Sequence, residues 1–308
     1  MSKSTWKRAG VALTAAALTA GLAACGDKGA ATKAGDPADV TQALTAAYEK
    51  TSAAKAAKVK MTMKMEGTGP DTGTMEMSGV QGWDPAFMDY TVKGSMLSAG
   101  DPDAPEQMRM VMLDNVIYMD MGEKQAAEMD GKRWMKLDLK AAAEASGDKN
   151  VQKQMTGSLD QMNQDPAQQL ALLLDSPDLK HVGAEKVNGM ETQHYKGTLT
   201  FEQMLKANKA SELLSKEDHD KLVENMKKSK LKGYDTEVWV NEDGYPARMD
   251  IAMKMPEGSI EIRADYSDYG TKATVQAPPA EDTADLFKML EEAGKAMEGM
   301  EDAEGAQG

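Results

Sequence analysis

The sequence predicts an α+β protein built around one antiparallel sheet with an apolar and a polar face. Residues 59–65 read VKMTMKM, with an apolar side chain at every second position, and similar alternation occurs at 75–77, 108–112, 119–121 and 249–255. Alternation with a period of two places the apolar side chains on one face of a strand, as in a sheet with one solvated face. The strands also come in runs with helical stretches between them, which favours one continuous antiparallel sheet.

The first predicted helix begins at Asp36-Pro37, because aspartate is a favoured N-cap and proline a favoured first helical residue. Apolar residues at spacings of three and four continue this helix to about residue 58. The period changes to two at Val59, where the first strand is predicted to begin. Further strands follow to about residue 139, with loops at 67–73 and 98–106 and a hairpin turn at Asp114-Asn115.

Two helices are predicted over residues 140–175, the second beginning at Asp165-Pro166. Strands resume at Leu179 around Asn188-Gly189, a strong hairpin signal. A polar helix is predicted over 201–229, followed by a three-stranded meander over 234–270. The tail is predicted to contain one short helix and a disordered acidic end.

The N-terminal residues predict export. Three basic residues precede the uncharged apolar stretch 9–20, which is too short for the roughly 20 residues of a membrane span. The following Leu22-Ala23-Ala24-Cys25 resembles the lipobox of bacterial lipoprotein signals. That resemblance implies that Cys25 carries a diacylglyceryl group, becomes the mature N-terminus and anchors the chain at the outer face of the cytoplasmic membrane. We therefore expect a signal peptide at 1–24, a flexible tether at 25–35, one domain at 36–282 and a tail at 283–308.

Composition excludes several classes of function. Removing the three basic residues of the signal from the 36 in the chain leaves 33 against 50 acidic residues, a net charge of −17, which repels nucleic acid and anionic membranes. Cys25 is the only cysteine, so a disulfide, a cysteine metal site and a cysteine nucleophile are excluded. The pattern S-x-x-K occurs four times without its companion motifs, and no other catalytic fingerprint is present. We predict no enzymatic activity and no cofactor, and we expect a monomer.

Several segments resemble a known family. The lipobox, EKTSAAKAAKVKMTMKM, DGKRWMKLDL, NGMETQHYKGTLTF, VWVNEDGYPARMDIAMK and YSDYG with VQAPPAEDT are similar to actinobacterial LppX/LprAFG-type lipoproteins, which share a fold with the carriers LolA and LolB. The resemblance covers about residues 36–282. It implies a strongly curved antiparallel half-barrel, with helices packed on its concave face and an apolar cavity that takes up lipid chains.

The 26 methionines, against three phenylalanines, allow three interpretations. They are ordinary core residues, or they line a cavity where their flexible side chains fit variable acyl chains, or their M-x-M sets bind Cu(I) through thioether sulfur. His181 and His194 flank the Asn188-Gly189 turn at similar distances, which suggests cross-strand packing, or a metal site if a carboxylate joined them.

We expect an anchored lipoprotein that binds the acyl chains of a lipid, glycolipid or lipoprotein and holds or carries it at the cell envelope with a membrane transport partner. The alternatives are a regulatory or sensory interaction protein on the same fold and a methionine-based Cu(I) carrier. The first helix is expected to act as a movable lid. The predicted cavity wall consists of Leu44, Tyr48, Val59, Met61, Met63, Met65, Met75, Met77, Met108, Met110, Met112, Met135, Leu137, Met249, Ile251 and Met253.

Overall fold

The structure, a computed structural model, describes residues 37–67, 72–97, 105–146, 165–200 and 233–290. All of them belong to one compact unit, Ala34–Gly308. The helices are α1 (Pro37–Ala54), α2 (Gly122–Ala126), α3 (Leu139–Ser146) and α4 (Pro166–Leu174). The strands are β1 (Ala56–Gly67), β2 (Gly73–Trp83), β3 (Ala86–Lys93), β4 (Gln107–Leu113), β5 (Val116–Asp120), β6 (Trp134–Asp138), β7 (Lys180–Val187), β8 (Met190–Thr200), β9 (Gly233–Asn241), β10 (Pro246–Met255), β11 (Gly258–Ser267) and β12 (Thr283–Asp285).

The twelve strands form one unclosed sheet in the order β12-β6-β5-β4-β3-β2-β1-β11-β10-β9-β8-β7. Each neighbouring pair is antiparallel except β12 with β6, which is parallel. The predicted α+β class, a curved and mainly antiparallel half-barrel with helices on one face, is confirmed.

Two apolar clusters cover what we call the inner face of the sheet. In the first, Leu44 of α1 and Leu170 of α4 pack on Tyr195, Val238 and Met249, which project from β8, β9 and β10. The second joins buried residues of β1, β3, β4 and β5, namely Val59, Met88, Tyr90, Val92, Met112 and Ile117. The helices α1 and α4 therefore lie over the β8–β10 part of the inner face.

Local signals in the sequence place three features correctly. The Asp165 carboxylate accepts a hydrogen bond of 2.7 Å from the backbone N–H of Ala167, which caps α4 as predicted. Asn188 and Gly189 have φ of 52° and 83°, the left-handed values that a two-residue hairpin turn requires. Asp114-Asn115 forms the other predicted turn, between β4 and β5.

Other boundaries differ from the prediction. Strand β1 begins at Ala56, three residues before Val59, because Lys55 adopts a φ of 64° and ends the helix. Ala56 and Ala57 then pair with Gly82 and Gln81 of β2. No sequence pattern described above predicts α2 or β12. The predicted signal, tether, helix 201–229 and acidic end lie outside the described residues.

Among these residues, the structure contains no helix with both the length and the hydropathy that crossing a membrane requires.

Candidate functional site

The register of the sheet brings the predicted wall residues of the strands to one face. Met61 lies opposite Met77 on β2 and opposite Ala264 on β11, and Ala264 lies opposite Met249 on β10. Directly opposite residues of an antiparallel pair project from the same face of the sheet. Met249 packs in the cluster under α1, so this face is the inner face.

The same alignment continues to the other side of β1. Met77 lies opposite Val92, which lies opposite Met108. Further along, Met110 lies opposite Met119 on β5, and Met119 opposite Met135 on β6. The register therefore places all fourteen predicted strand residues on the inner face: Val59, Met61, Met63, Met65, Met75, Met77, Met108, Met110, Met112, Met135, Leu137, Met249, Ile251 and Met253.

The inner face is only partly covered. Val59, Met112 and Met249 are buried, and the other eleven of the fourteen are half-buried. Along β1 the side chains on the opposite, outer face, including Lys58, Lys60 and Thr62, are exposed. The inner face thus combines a buried floor with thioether and aliphatic groups that remain partly accessible.

The two predicted residues of α1 differ in their surroundings. Leu44 is completely buried in the core, whereas Tyr48 is 37% exposed. The end of α1 is fastened to its neighbours, since the Ser52 hydroxyl donates to the Asp165 carboxylate at 3.3 Å and the Trp83 indole N–H donates to the Ser52 carbonyl at 3.3 Å. Burial of Leu44 therefore packs α1 against the sheet, and the two hydrogen bonds fix its last turn.

Eight residues outside the predicted wall also lie on the inner face. They are Met88, Tyr90, Val92, Ile117, Met119, Ile260, Ile262 and Ala264, and the alternation within 86–92 and 260–264 would have identified most of them. Burial raises the pKa of Tyr90, and its hydroxyl donates to the Gln81 side-chain oxygen at 2.8 Å. Tyr90 thus remains neutral and contributes an apolar ring to the floor.

The outer face is polar. Cross-strand ion pairs cover it, among them Arg109 with Asp89 at 2.8 Å and Arg248 with Asp265 at 2.8 Å. A groove of about 710 Å³ lies on this face, beneath the hairpin turn whose Asn188 side chain donates to Asp265 at 2.8 Å. These ion pairs therefore lie on the side of the sheet opposite the methionines of the inner face.

His181 and His194 do not converge. A bulge between His181 and Gly183 places His181 opposite Tyr195 and Gly183 opposite His194, so the two imidazoles project from opposite faces. The His194 ring stacks on Trp239 with ring centres 4.2 Å apart and lies 2.8 Å from a Glu237 oxygen. Within the described part of the chain, no group of three or more histidine, aspartate and glutamate side chains is arranged to hold a metal ion.

Comparison with known proteins places the chain in a family. No family model matches the sequence. An uncharacterized 31.2 kDa protein of Streptomyces griseus, from the rplA-rplJ intergenic region, is 32% identical over 265 residues, which cover 82% of this chain and 81% of that protein. The chain belongs to the family of this Streptomyces protein. A Streptomyces coelicolor protein named "Putative lipoprotein" is 26% identical over 227 residues, covering 72% of this chain and 67% of its own length.

Two mycobacterial proteins, the lipoprotein LppX and LprF, are among the solved structures that resemble this family member. LppX of Mycobacterium tuberculosis has a TM-score of 0.42 and 13% identity, with 79% of this chain and all of that chain aligned. LprF of Mycobacterium bovis has a TM-score of 0.42 and 12% identity, with 79% of this chain and 98% of that chain aligned.

Proposed function

We propose that this protein is an exported lipoprotein, anchored through acylated Cys25 at the outer face of the cytoplasmic membrane, that binds acyl chains on its inner face. The ligand is a lipid, a glycolipid or the acyl part of a lipoprotein, which the protein holds or carries at the cell envelope. One observation carries this proposal: fourteen apolar residues from five strands share one face, and eleven of them are only half-buried.

Methionine suits such a surface because its side chain has three rotatable bonds and a polarizable sulfur, and so adapts to variable apolar shapes. Burying a 16-carbon chain at about 0.8 kcal/mol per CH₂ contributes on the order of 10 kcal/mol before ordering costs. This gain favours holding over release, so we infer that a membrane partner assists transfer.

The anchor is supported by the four residues ending at Cys25 and by the name of the S. coelicolor relative, which describes that protein as a lipoprotein. Two acyl chains suffice for stable attachment to a membrane, whereas one chain binds only marginally. Metabolic labelling with a clickable fatty acid tests the anchor, because the Cys25→Ser chain should take up no label.

Binding is tested by native mass spectrometry of the Cys25→Ser chain purified from the envelope of an actinobacterial host, followed by titration with a fluorescent C16 fatty acid. Co-purifying lipid and displaceable fluorescence are expected. A chain that carries no lipid and binds no probe would overturn the proposal and favour the regulatory alternative.

Two adjacent substitutions locate the site. Met63→Glu places a carboxylate on the half-buried inner face, and we expect it to weaken probe binding about tenfold or more, because an acyl chain cannot solvate the charge. Thr62→Glu adds the same charge one residue away on the exposed outer face and should leave binding unchanged. Equal effects of the two variants would exclude the inner face as the binding surface.

A further inference from the structure

Strands β1 and β2 bring four methionines together in two facing pairs. Met61 lies directly opposite Met77, and Met63 directly opposite Met75. Facing residues of an antiparallel pair have Cβ atoms about 4.5–5.5 Å apart, and diagonal neighbours are about 7–8 Å apart. Since the thioether sulfur lies two bonds beyond Cβ on a flexible chain, four sulfur atoms can converge over this part of the inner face. We call these four residues the methionine quartet.

The quartet offers thioether sulfur as a metal-binding donor atom in apolar surroundings. On the inner face its neighbours across the ladder are Ala264 and Ile262 on one side and Val92 on the other. The charged residues of the same strands, such as Lys60 and Glu76, project from the outer face. All four methionines are half-buried, so a small ion can reach them without unfolding the sheet.

We propose that the methionine quartet is a binding site for Cu(I). Thioether sulfur is a soft, neutral ligand that selects Cu(I) over hard or borderline cations such as Mg²⁺ or Zn²⁺. The chain carries a net charge of −14, which favours the approach of a cation to a site whose own ligands are uncharged. No ligand has to lose a proton, so binding does not compete with protonation.

The quartet lies within the proposed acyl-binding wall, so the test of metal binding uses substitutions that remove sulfur but keep the surface apolar. Leucine has nearly the volume and apolar character of methionine but no sulfur. Changing the whole quartet to leucine therefore removes the metal ligands and keeps an apolar wall. The buried facing pair Met88 and Met112, 7% and 1% exposed, provides a matched control in the same sheet.

The test is competition between the protein and a chromogenic Cu(I) chelator under anaerobic conditions, using the mature Cys25→Ser chain so that no thiol is present. We expect one Cu(I) per chain, with an affinity unchanged between pH 7.5 and pH 5. The M61L/M63L/M75L/M77L variant should lose at least 90% of the bound Cu(I). The M88L/M112L variant should bind Cu(I) normally.

Labelling the methionine methyl groups with ¹³C gives a readout that does not depend on the folding of a quadruple variant. Cu(I) should shift the methyl signals of the quartet and leave those of Met88 and Met112 in place. Three results would each overturn the proposal: unchanged Cu(I) uptake by the quadruple variant, shifts confined to Met110, Met119 and Met135, or an affinity that falls tenfold at pH 5 and so indicates histidine ligands.

Discussion

Replacing Leu44 with alanine tests whether packing fixes α1 to the sheet. The Leu44 side chain is completely buried and packs in the cluster that joins α1 and α4 to the inner face. Removing three carbon atoms forfeits about 2.4 kcal/mol of transfer free energy, and the remaining cavity adds to this, so we expect a loss of about 3 kcal/mol. The unfolding equilibrium constant should rise about 150-fold.

The measurement is urea unfolding followed by tryptophan fluorescence. Trp83 is a suitable reporter because its indole N–H donates to the Ser52 carbonyl in the last turn of α1. Gln42→Ala is the matched control, since Gln42 lies on the exposed side of the same helix and its substitution should change the free energy of unfolding by less than about 0.5 kcal/mol. If Leu44→Ala lowers the free energy of unfolding no more than this control does, packing of Leu44 does not hold α1 to the sheet.

Three further substitutions can be followed by the same urea unfolding assay. Gly189→Ala should cost about 1 kcal/mol from backbone strain alone, because Gly189 has a φ of 83° and no atom lies within 4 Å of the added Cβ. Thr236→Val should stabilise the protein by about 1 kcal/mol, because its buried hydroxyl has no hydrogen-bond partner among the described residues. Burial raises the pKa of Glu237, but the hydrogen bonds and charges of Lys196 and His194 together outweigh burial and hold the pKa below its usual value of 4.5. The stabilisation is therefore present above pH 4.5 and lost as the pH falls further, so Glu237→Gln should flatten the acid side of the stability profile.

Features that depend on local sequence are the ones that the sequence predicts well. The cap at Asp165-Pro166 and the turn at Asn188-Gly189 need only a few adjacent residues, and each residue type has a conformational reason to be there. The alternation that begins at Val59 likewise identifies the inner-face residues of β1, because a period of two fixes which side chains share a face.

Features that depend on pairing with distant parts of the chain cannot be predicted from the local sequence. Ala56 and Ala57 suit a helix as well as a strand, and only their pairing with β2 places them in the sheet. The three residues of β12 carry no strand pattern of their own and are ordered by parallel pairing with β6, about 150 positions earlier in the chain. The facing of Met61 with Met77 depends on the register of β1 and β2, which alternation alone does not determine.

Within the described residues the unclosed sheet ends at β12 and β7, and each of these strands has features that hinder pairing with a further strand. At one end β12 is only three residues long. At the other end, β7 has a bulge after His181, which interrupts the regular row of backbone N–H and C=O groups. Exposed lysines at positions 180 and 186 add positive charge along this strand. These features oppose the addition of a strand from a neighbouring copy, which would otherwise extend the twelve-stranded sheet into a fibre.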